Sequence, residues 1–205
     1  MHYDKLATEK SIKKTSEALV ERGFHAEVVA TKEEALEKIK SFIPAGATVM
    51  NGSSVTLEEI GYVDYLTSDK HPWEDFHAAV GSESDPLKRA ELRKMAVNSE
   101  FYLGSVHAIA ETGEIVIASN TGSQLPHVVF TSPNVILVVS TKKITPTLDD
   151  AFKRLEQHVI PLEDKHMQQL YGMGTMHSKT VILRHESPMT KRKVLILFVK
   201  ENLGF

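Results

Sequence analysis

Ala47-Thr48-Val49-Met50 runs without a break into Asn51-Gly52-Ser53-Ser54-Val55 and then Thr56-Leu57-Glu58-Glu59. The first four residues suit a buried strand, and the small polar residues that follow suit a tight turn. Thr56 with Glu59 has the form of a capping box, which predicts a helix starting at Thr56 and fading near Gly61. A strand that empties through small residues into a helix is the repeating unit of an α/β sheet, and ligands in such sheets sit outside the carboxyl ends of the strands.

The same alternation extends in both directions. Upstream, Asp4 to Arg22 is helix-permissive, with Ile12 and Leu19 seven apart and Gly23 placed to stop it; His25 to Ala30 then reads as a strand. Thr31-Lys32-Glu33-Glu34 caps a second helix whose apolar face is Ala35, Leu36, Ile39, Phe42 and Ile43, ended by Pro44. Downstream, Thr67 to Gly81 has little pattern, and Pro86 to Asn98 is helix-like through Leu87, Ala90, Leu92 and Met95. Short apolar segments follow at Phe101-Tyr102-Leu103-Gly104, Ala108-Ile109-Ala110, Ile115-Val116-Ile117-Ala118 and Val135 to Val139. Thr147-Leu148-Asp149-Asp150 opens a helix with a core face of Leu148, Ala151, Phe152, Leu155 and Val159, and two closing strands are expected at Thr180 to Leu183 and Val194 to Val199. Continuous β-branched runs with helices between them predict strands buried on both faces. The expected fold is α/β: one domain over residues 1–205, three-layer α/β/α, with a mostly parallel sheet.

At 205 residues the chain can bury about 70% of the surface its unfolded form exposes, so it needs no covalent staple. It has no cysteine, hence no disulfide, no thiol nucleophile and no thiolate for an iron–sulfur cluster. Twenty-four Lys and Arg against 27 Asp and Glu leave a net charge of −3, without the basic excess of a nucleic-acid binder. Met1-His2-Tyr3-Asp4-Lys5-Leu6 lacks the apolar core of a secretory signal. The longest apolar run is far short of the roughly 20 residues that span a bilayer, so a cytoplasmic location is the expectation. The ten histidines match no metal-ligand spacing, and neither a dinucleotide-binding nor a phosphate-loop glycine pattern is present, so no metal is assigned.

Three stretches could carry chemistry. Asn51, Gly52, Ser53, Ser54 and Thr56 lie at a strand's carboxyl end, where N–H and hydroxyl donors can surround an anion; alternatively Gly52 permits a turn and the hydroxyls cap the helix, with Glu58 and Glu59 already complementing its dipole. Glu111, between Ala108-Ile109-Ala110 and Thr112-Gly113-Glu114, could be a partly desolvated base or nucleophile, or an exposed residue of a hairpin turn. Gly172-Met173-Gly174-Thr175-Met176-His177-Ser178-Lys179-Thr180 carries the donors an anion needs, or is simply a flexible reversal.

Ala108-Ile109-Ala110-Glu111-Thr112-Gly113 before an apolar strand resembles the central signature of the lactate-utilisation (LUD) domain family. Asn51 to Thr56 with Glu59 and Gly61 is similar to the family's upstream small-residue loop, and Val135 to Val139 with Lys143 to Ala151 resembles the strand and helix after the signature. The C-terminal match is looser: Met176-His177-Ser178-Lys179-Thr180 stands where the family commonly has Gly-Pro-Ser-Arg-Thr, and His185-Glu186-Ser187-Pro188 where it has His-Gly-Pro. Lysine for arginine replaces a bidentate fork by a point charge. The resemblance implies a fold like ribose-5-phosphate isomerase, glucosamine-6-phosphate deaminase and the CoA transferases. It further implies kinship with the cluster-free small subunit of a system that oxidises L-lactate to pyruvate. The iron–sulfur clusters would then lie on partner chains, with no cofactor held by this chain alone. It implies a small anionic ligand held by Asn51, Gly52, Ser53, Ser54, Thr56, Thr112, Gly113, His177, Ser178, Lys179 and Thr180, with Glu111 as the catalytic candidate; oligomerisation is open. A separate enzyme acting on a phosphorylated or acyl-CoA substrate through Glu111, and a binding module without chemistry, are the alternatives.

Overall fold

A computed structural model describes residues 3–68 and 70–205; the Met1-His2 part of the N-terminal reading lies outside these. In chain order the elements are α1 (Glu9–Glu21), β1 (His25–Val29), α2 (Lys32–Phe42), β2 (Thr48–Asn51), α3 (Val55–Glu59), α4 (Tyr62–Thr67), β3 (Glu74–Asp75), α5 (Phe76–Ser82), α6 (Pro86–Ala96), β4 (Phe101–Gly104), β5 (Ala108–Ala110), β6 (Ile115–Ser119), β7 (Asn134–Ser140), β8 (Ile144–Thr145), α7 (Leu148–Arg154), α8 (Ile160–Tyr171), β9 (Lys179–Leu183) and β10 (Lys193–Val199). Among the described residues no helix is long and apolar enough to cross a membrane.

Six strands form a wholly parallel sheet in the order β1-β10-β7-β4-β2-β3. At its centre Val194 to Val199 lie beside Val135 to Ser140 in register, and Val135, Leu137, Val139, Ile196 and Phe198 are fully buried. Each such side chain contributes about 1.5–3 kcal/mol by leaving water, which explains why these runs carry no polar alternation. One face packs on α2, α3 and α4 through Ala35, Ile39, Leu57, Tyr62 and Leu66. The other meets α1 through Leu19 and the inner side of a second sheet through Ile109, Ile115 and Ile117. That second sheet is small, in the order β8-β5-β6-β9, antiparallel except for β5 with β8. On its outer side Ala108, Val116 and Ala118 pack on Ala151, Leu155 and Val159. The architecture is α/β, with a parallel sheet between helical layers.

The two closing strands join different sheets, because β9 pairs with β6 and β10 with β7. Helix α1 starts at Glu9 rather than Asp4, since the Thr8 hydroxyl accepts from Ser11 N at 3.2 Å and caps it there. The expected face of α6 is solvent-exposed: Leu87 is 78% and Met95 62% accessible. In the patternless stretch Trp73 is buried, its indole donating to Ile43 O at 3.1 Å.

The cap of α3 departs from expectation in a way that matters for the site. Ser54, not Thr56, is the N-cap, its Oγ accepting from Leu57 N at 3.3 Å. Thr56 falls inside the first turn, and Glu59, its expected capping partner, accepts from Gly204 N at 2.6 Å. The Thr56 hydroxyl is thereby left for another partner.

Candidate functional site

Strands β2, β4 and β7 release their chains at one end of the parallel sheet, and the three exits border a cavity of about 350 Å³, within the range of small-molecule sites. Gly52, Ser53, Ser54 and Thr56 come from the β2 exit, Gly104, Ser105 and His107 from the β4 exit, and Lys143 from the β7 exit. The wall contributed by α8 and its preceding turn is mostly apolar, with Leu155, Val159, Met167 and Leu170 beside Glu163 and His166.

Lys143 is the centre of the polar wall. Its ammonium reaches Thr56 Oγ1 and Ser105 Oγ at 3.1 Å each and the Val106 carbonyl at 3.2 Å. It is 3% exposed. Ser105 uses its own proton on Val138 O at 2.7 Å, so it can only accept from Lys143. All three partners are neutral oxygens, and no carboxylate touches the amine among the described residues. Burial, then the charges of Arg154 and Lys142, hold Lys143 well below the ordinary lysine range, against a smaller opposing pull from Glu59. This is a buried amine site short of an anion.

His107 stands beside it. Its Nδ1 accepts from Ala118 N at 3.0 Å, which fixes the neutral tautomer with the proton on Nε2. Burial, then Lys143, Arg154 and His177, push it down to about 3. The ring is therefore neutral at ordinary pH and offers one N–H donor. The Gly52 backbone passes so close to Tyr102 that a Cβ there would lie 2.7 Å from the phenol oxygen. Tyr102 is itself stacked on His127 with ring centroids 4.7 Å apart, so the turn rests on a rigid base. Ser119 Oγ receives Gly122 N at 2.8 Å and donates to Gln124 Oε1 at 2.9 Å, ordering the loop that forms the opposite rim. Burial raises Glu163 above the usual carboxylate range.

Of the residues expected from sequence, Gly52, Ser53, Ser54, Thr56 and His177 line the cavity. Asn51 lies beneath it, 4% exposed, with Oδ1 unpartnered among the described residues. Ser178, Lys179 and Thr180 are outside the lining: Lys179 and Thr180 belong to β9, and the Lys179 amine donates to Asn120 O at 3.1 Å. The structure does not bring Glu111 to this cavity either. Its carboxylate accepts from Ser11 Oγ at 2.6 Å and Lys14 Nζ at 2.9 Å on α1, and the first of these contacts, then the second, hold it below its ordinary range. A carboxylate kept ionised by such partners is a poor base. Thr112 and Gly113 belong to the same anchor: Arg22 Nε donates to Thr112 O at 2.6 Å, Gly113 turns with φ +94°, and Arg22 Nη2 pairs with Glu114 at 2.9 Å. The Glu-Thr-Gly-Glu turn thus pins the second sheet to α1.

Sequence reading gave Lys143, His107 and Ser105 no ligand-binding role. The one local signal was a tandem Lys142-Lys143 following the apolar run Val135 to Val139 and its two-residue exit Ser140-Thr141. Among the described residues no three His, Asp or Glu side chains converge as a metal site would require.

No curated protein matches the chain. Among solved structures, the crystal structure of a DUF162 family protein from Deinococcus radiodurans superposes with a TM-score of 0.56 at 12% identity, covering 95% of this chain and 99% of that one, a likeness of fold. The model of the LUD domain matches residues 12–197, a span that takes in every strand exit bordering the cavity and both sheets except the last two residues of β10, and by that match the chain belongs to the LUD domain family.

Proposed function

We propose that the cavity binds a small carboxylate of the lactate and pyruvate class, and that the chain is the ligand-binding component of a lactate-oxidising assembly. The observation that carries this reading is Lys143: an amine buried among three neutral oxygens, with no carboxylate against it. A carboxylate entering the cavity would supply the missing charge, with the His107 Nε2–H and the hydroxyls of Ser53, Ser54 and Thr56 as further donors. At the family level the protein is related to lactate utilisation. Oxidising lactate removes two electrons, and a cysteine-free chain has no thiolates for an iron–sulfur cluster; in this reading the clusters belong to partner chains.

The depressed Lys143 favours a second reading, in which a neutral amine removes a proton next to a bound carbonyl. That role falls to Lys143 and not to Glu111, which is engaged with α1.

The test is calorimetric titration of L-lactate and pyruvate into the full chain at pH 8, in buffers of different ionisation heat. A bound carboxylate raises the basicity of Lys143, so binding takes up a fraction of a proton and tightens as pH falls. Lys143→Met should weaken binding at least tenfold, about 1.4 kcal/mol. Undiminished binding by that variant, or no binding by the parent chain, would overturn the assignment. Proton exchange at the carbon next to the pyruvate carbonyl, lost in Lys143→Met, would select the second reading.

A further inference from the structure

Beside the cavity lies a second cationic centre that the carboxylate reading does not use. Arg154, at the end of α7, is wholly buried; its Nη1 donates to the His107 carbonyl, while Nε and Nη2 have no partner among the described residues. Those two nitrogens form one edge of the guanidinium, the edge that takes an oxyanion in two parallel hydrogen bonds. An arginine fork sealed from water and left empty is costly, and its presence calls for a ligand. A lysine and a histidine share the place. Lys142 is 6% exposed, and His158 has a buried Nε2 without a hydrogen-bond partner among the described residues.

One carboxylate answers these groups. Asp4 stands 3.2 Å from Lys142 Nζ and 3.7 Å from His158 Nε2, yet it makes no hydrogen bond to Arg154 and is itself two-thirds exposed. It is held by slight means: its carbonyl accepts from Asn202 Nδ2 at 3.2 Å, and the neighbouring Tyr3 lies over His158 at 5.1 Å and reaches Gln157 Oε1 at 3.2 Å, both polar contacts at the surface. Residues 3 and 4 form a strap beside this cluster of buried nitrogens.

We infer that Arg154, Lys142 and His158 form a binding site for a phosphate group, with Asp4 as an internal stand-in that an incoming phosphate displaces. The charge count favours phosphate over a second carboxylate. Two permanent cations face the site once Asp4 leaves, which a dianion balances and a monoanion does not. Because Arg154 also holds the His107 backbone, the site is joined to the cavity by one residue.

The experiment is titration of inorganic phosphate into the full chain by calorimetry, with the Arg154 Nε–H cross-peak followed by nitrogen-proton correlation spectroscopy. Phosphate should bind and shift that peak. Asp4→Asn removes the competing carboxylate and should tighten binding about three- to tenfold, and Lys142→Met should weaken it by a similar factor. Asp4 is exposed and Lys142 buried, and circular dichroism checks that both variants keep their structure. Acetate, titrated alongside, should move the Arg154 peak less than phosphate does, and it is that peak, not the heat, on which the two are compared. The inference is overturned by phosphate failing to bind or to move the Arg154 peak, by Asp4→Asn binding no tighter, by Lys142→Met binding as the parent does, or by acetate matching phosphate.

Discussion

Mild acid should destabilise this protein through two histidines, well before its carboxylates titrate. His107 is pushed down to about 3 and His127 to about 4; in the unfolded chain each would titrate near 6.5. For His107 the cause is burial, then the neighbouring cations; for His127, 2% exposed beneath Tyr102, it is burial. Since the folded values lie below the unfolded one, the unfolded chain takes up the protons first. Stability is complete above about pH 6.5 and is lost as pH falls toward 3 or 4. At about 1.36 kcal/mol per pH unit, each histidine removes about 2 kcal/mol between pH 6.5 and 5. Together they remove about 4 kcal/mol, a large share of a typical 5–15 kcal/mol. Glu163, raised by burial, takes up its proton in the fold first and opposes this slope equally in the parent and the histidine variants, while Glu111 and Glu114, held low in the fold, act on a separate limb below about pH 4.5. Urea denaturation followed by circular dichroism at pH 7, 6 and 5 measures the slope. His107→Asn places an amide oxygen where Nδ1 accepts from Ala118 N, and His127→Asn does the same toward Ser132 Oγ, 3.0 Å away. Each variant should lose less stability than the parent between pH 7 and 5, by about 2 kcal/mol. His158, also held low by burial, adds to all the slopes alike. Parental slopes in both variants would refute the burial argument.

Lys143→Met should also flatten the alkaline side of the stability profile. The folded amine is held low, so the unfolded chain carries the extra proton up to about pH 10.4 and parental stability rises with pH through that window; denaturation at pH 7, 8 and 9 reads it. Gly204→Ala should lower the melting temperature and weaken lactate together. Gly204 has φ +61°, and a methyl there would collide with Thr56 Oγ1 and lie 3.1 Å from Lys143 Nζ, at a cost of about 1–3 kcal/mol, measured by calorimetry. Arg22→Ala strands Glu114, whose side chain is 10% exposed, and should cost about 3 kcal/mol in a urea melt. Glu111→Gln should leave lactate affinity unchanged in the same titration used for Lys143→Met, because the carboxylate faces α1.

The parallel sheet was legible because its strands announce themselves twice, by unbroken β-branched runs and by capped helices between them: Thr31 and Thr147 cap as read. The second sheet was not, since β5 and β8 have three and two residues and take their pairing from the chain that lies beside them. The β2 exit was found from its small residues because a tight turn leaves a local mark. The surroundings of Glu111 were not legible for the opposite reason: its partners Ser11 and Lys14 are about a hundred residues away in sequence, and nothing local tells a desolvated base from an anchor. Lys143 was missed because a lysine after a strand looks like a solvated one. Only the packing of Thr56, Ser105 and Val106 around it, from two other strand exits, makes it a buried cation.

Adjacent lysines at the end of β7 serve different places. Lys142 turns to Asp4 at the surface strap and Lys143 to Thr56 and Ser105 in the cavity. Between them stands Arg154, bonded to His107 and lowering the basicity of both Lys143 and His107 by its charge. The buried positive charge is therefore one electrostatic unit divided between two openings. An anion at either opening draws on the same positive charge and repels a second anion at the other, so on this geometry each site weakens the other, and by linkage they do so equally in both directions. That arrangement also accounts for Asp4: one weakly held carboxylate at the strap offsets charge on the Lys142 side and does not touch Lys143 in the cavity.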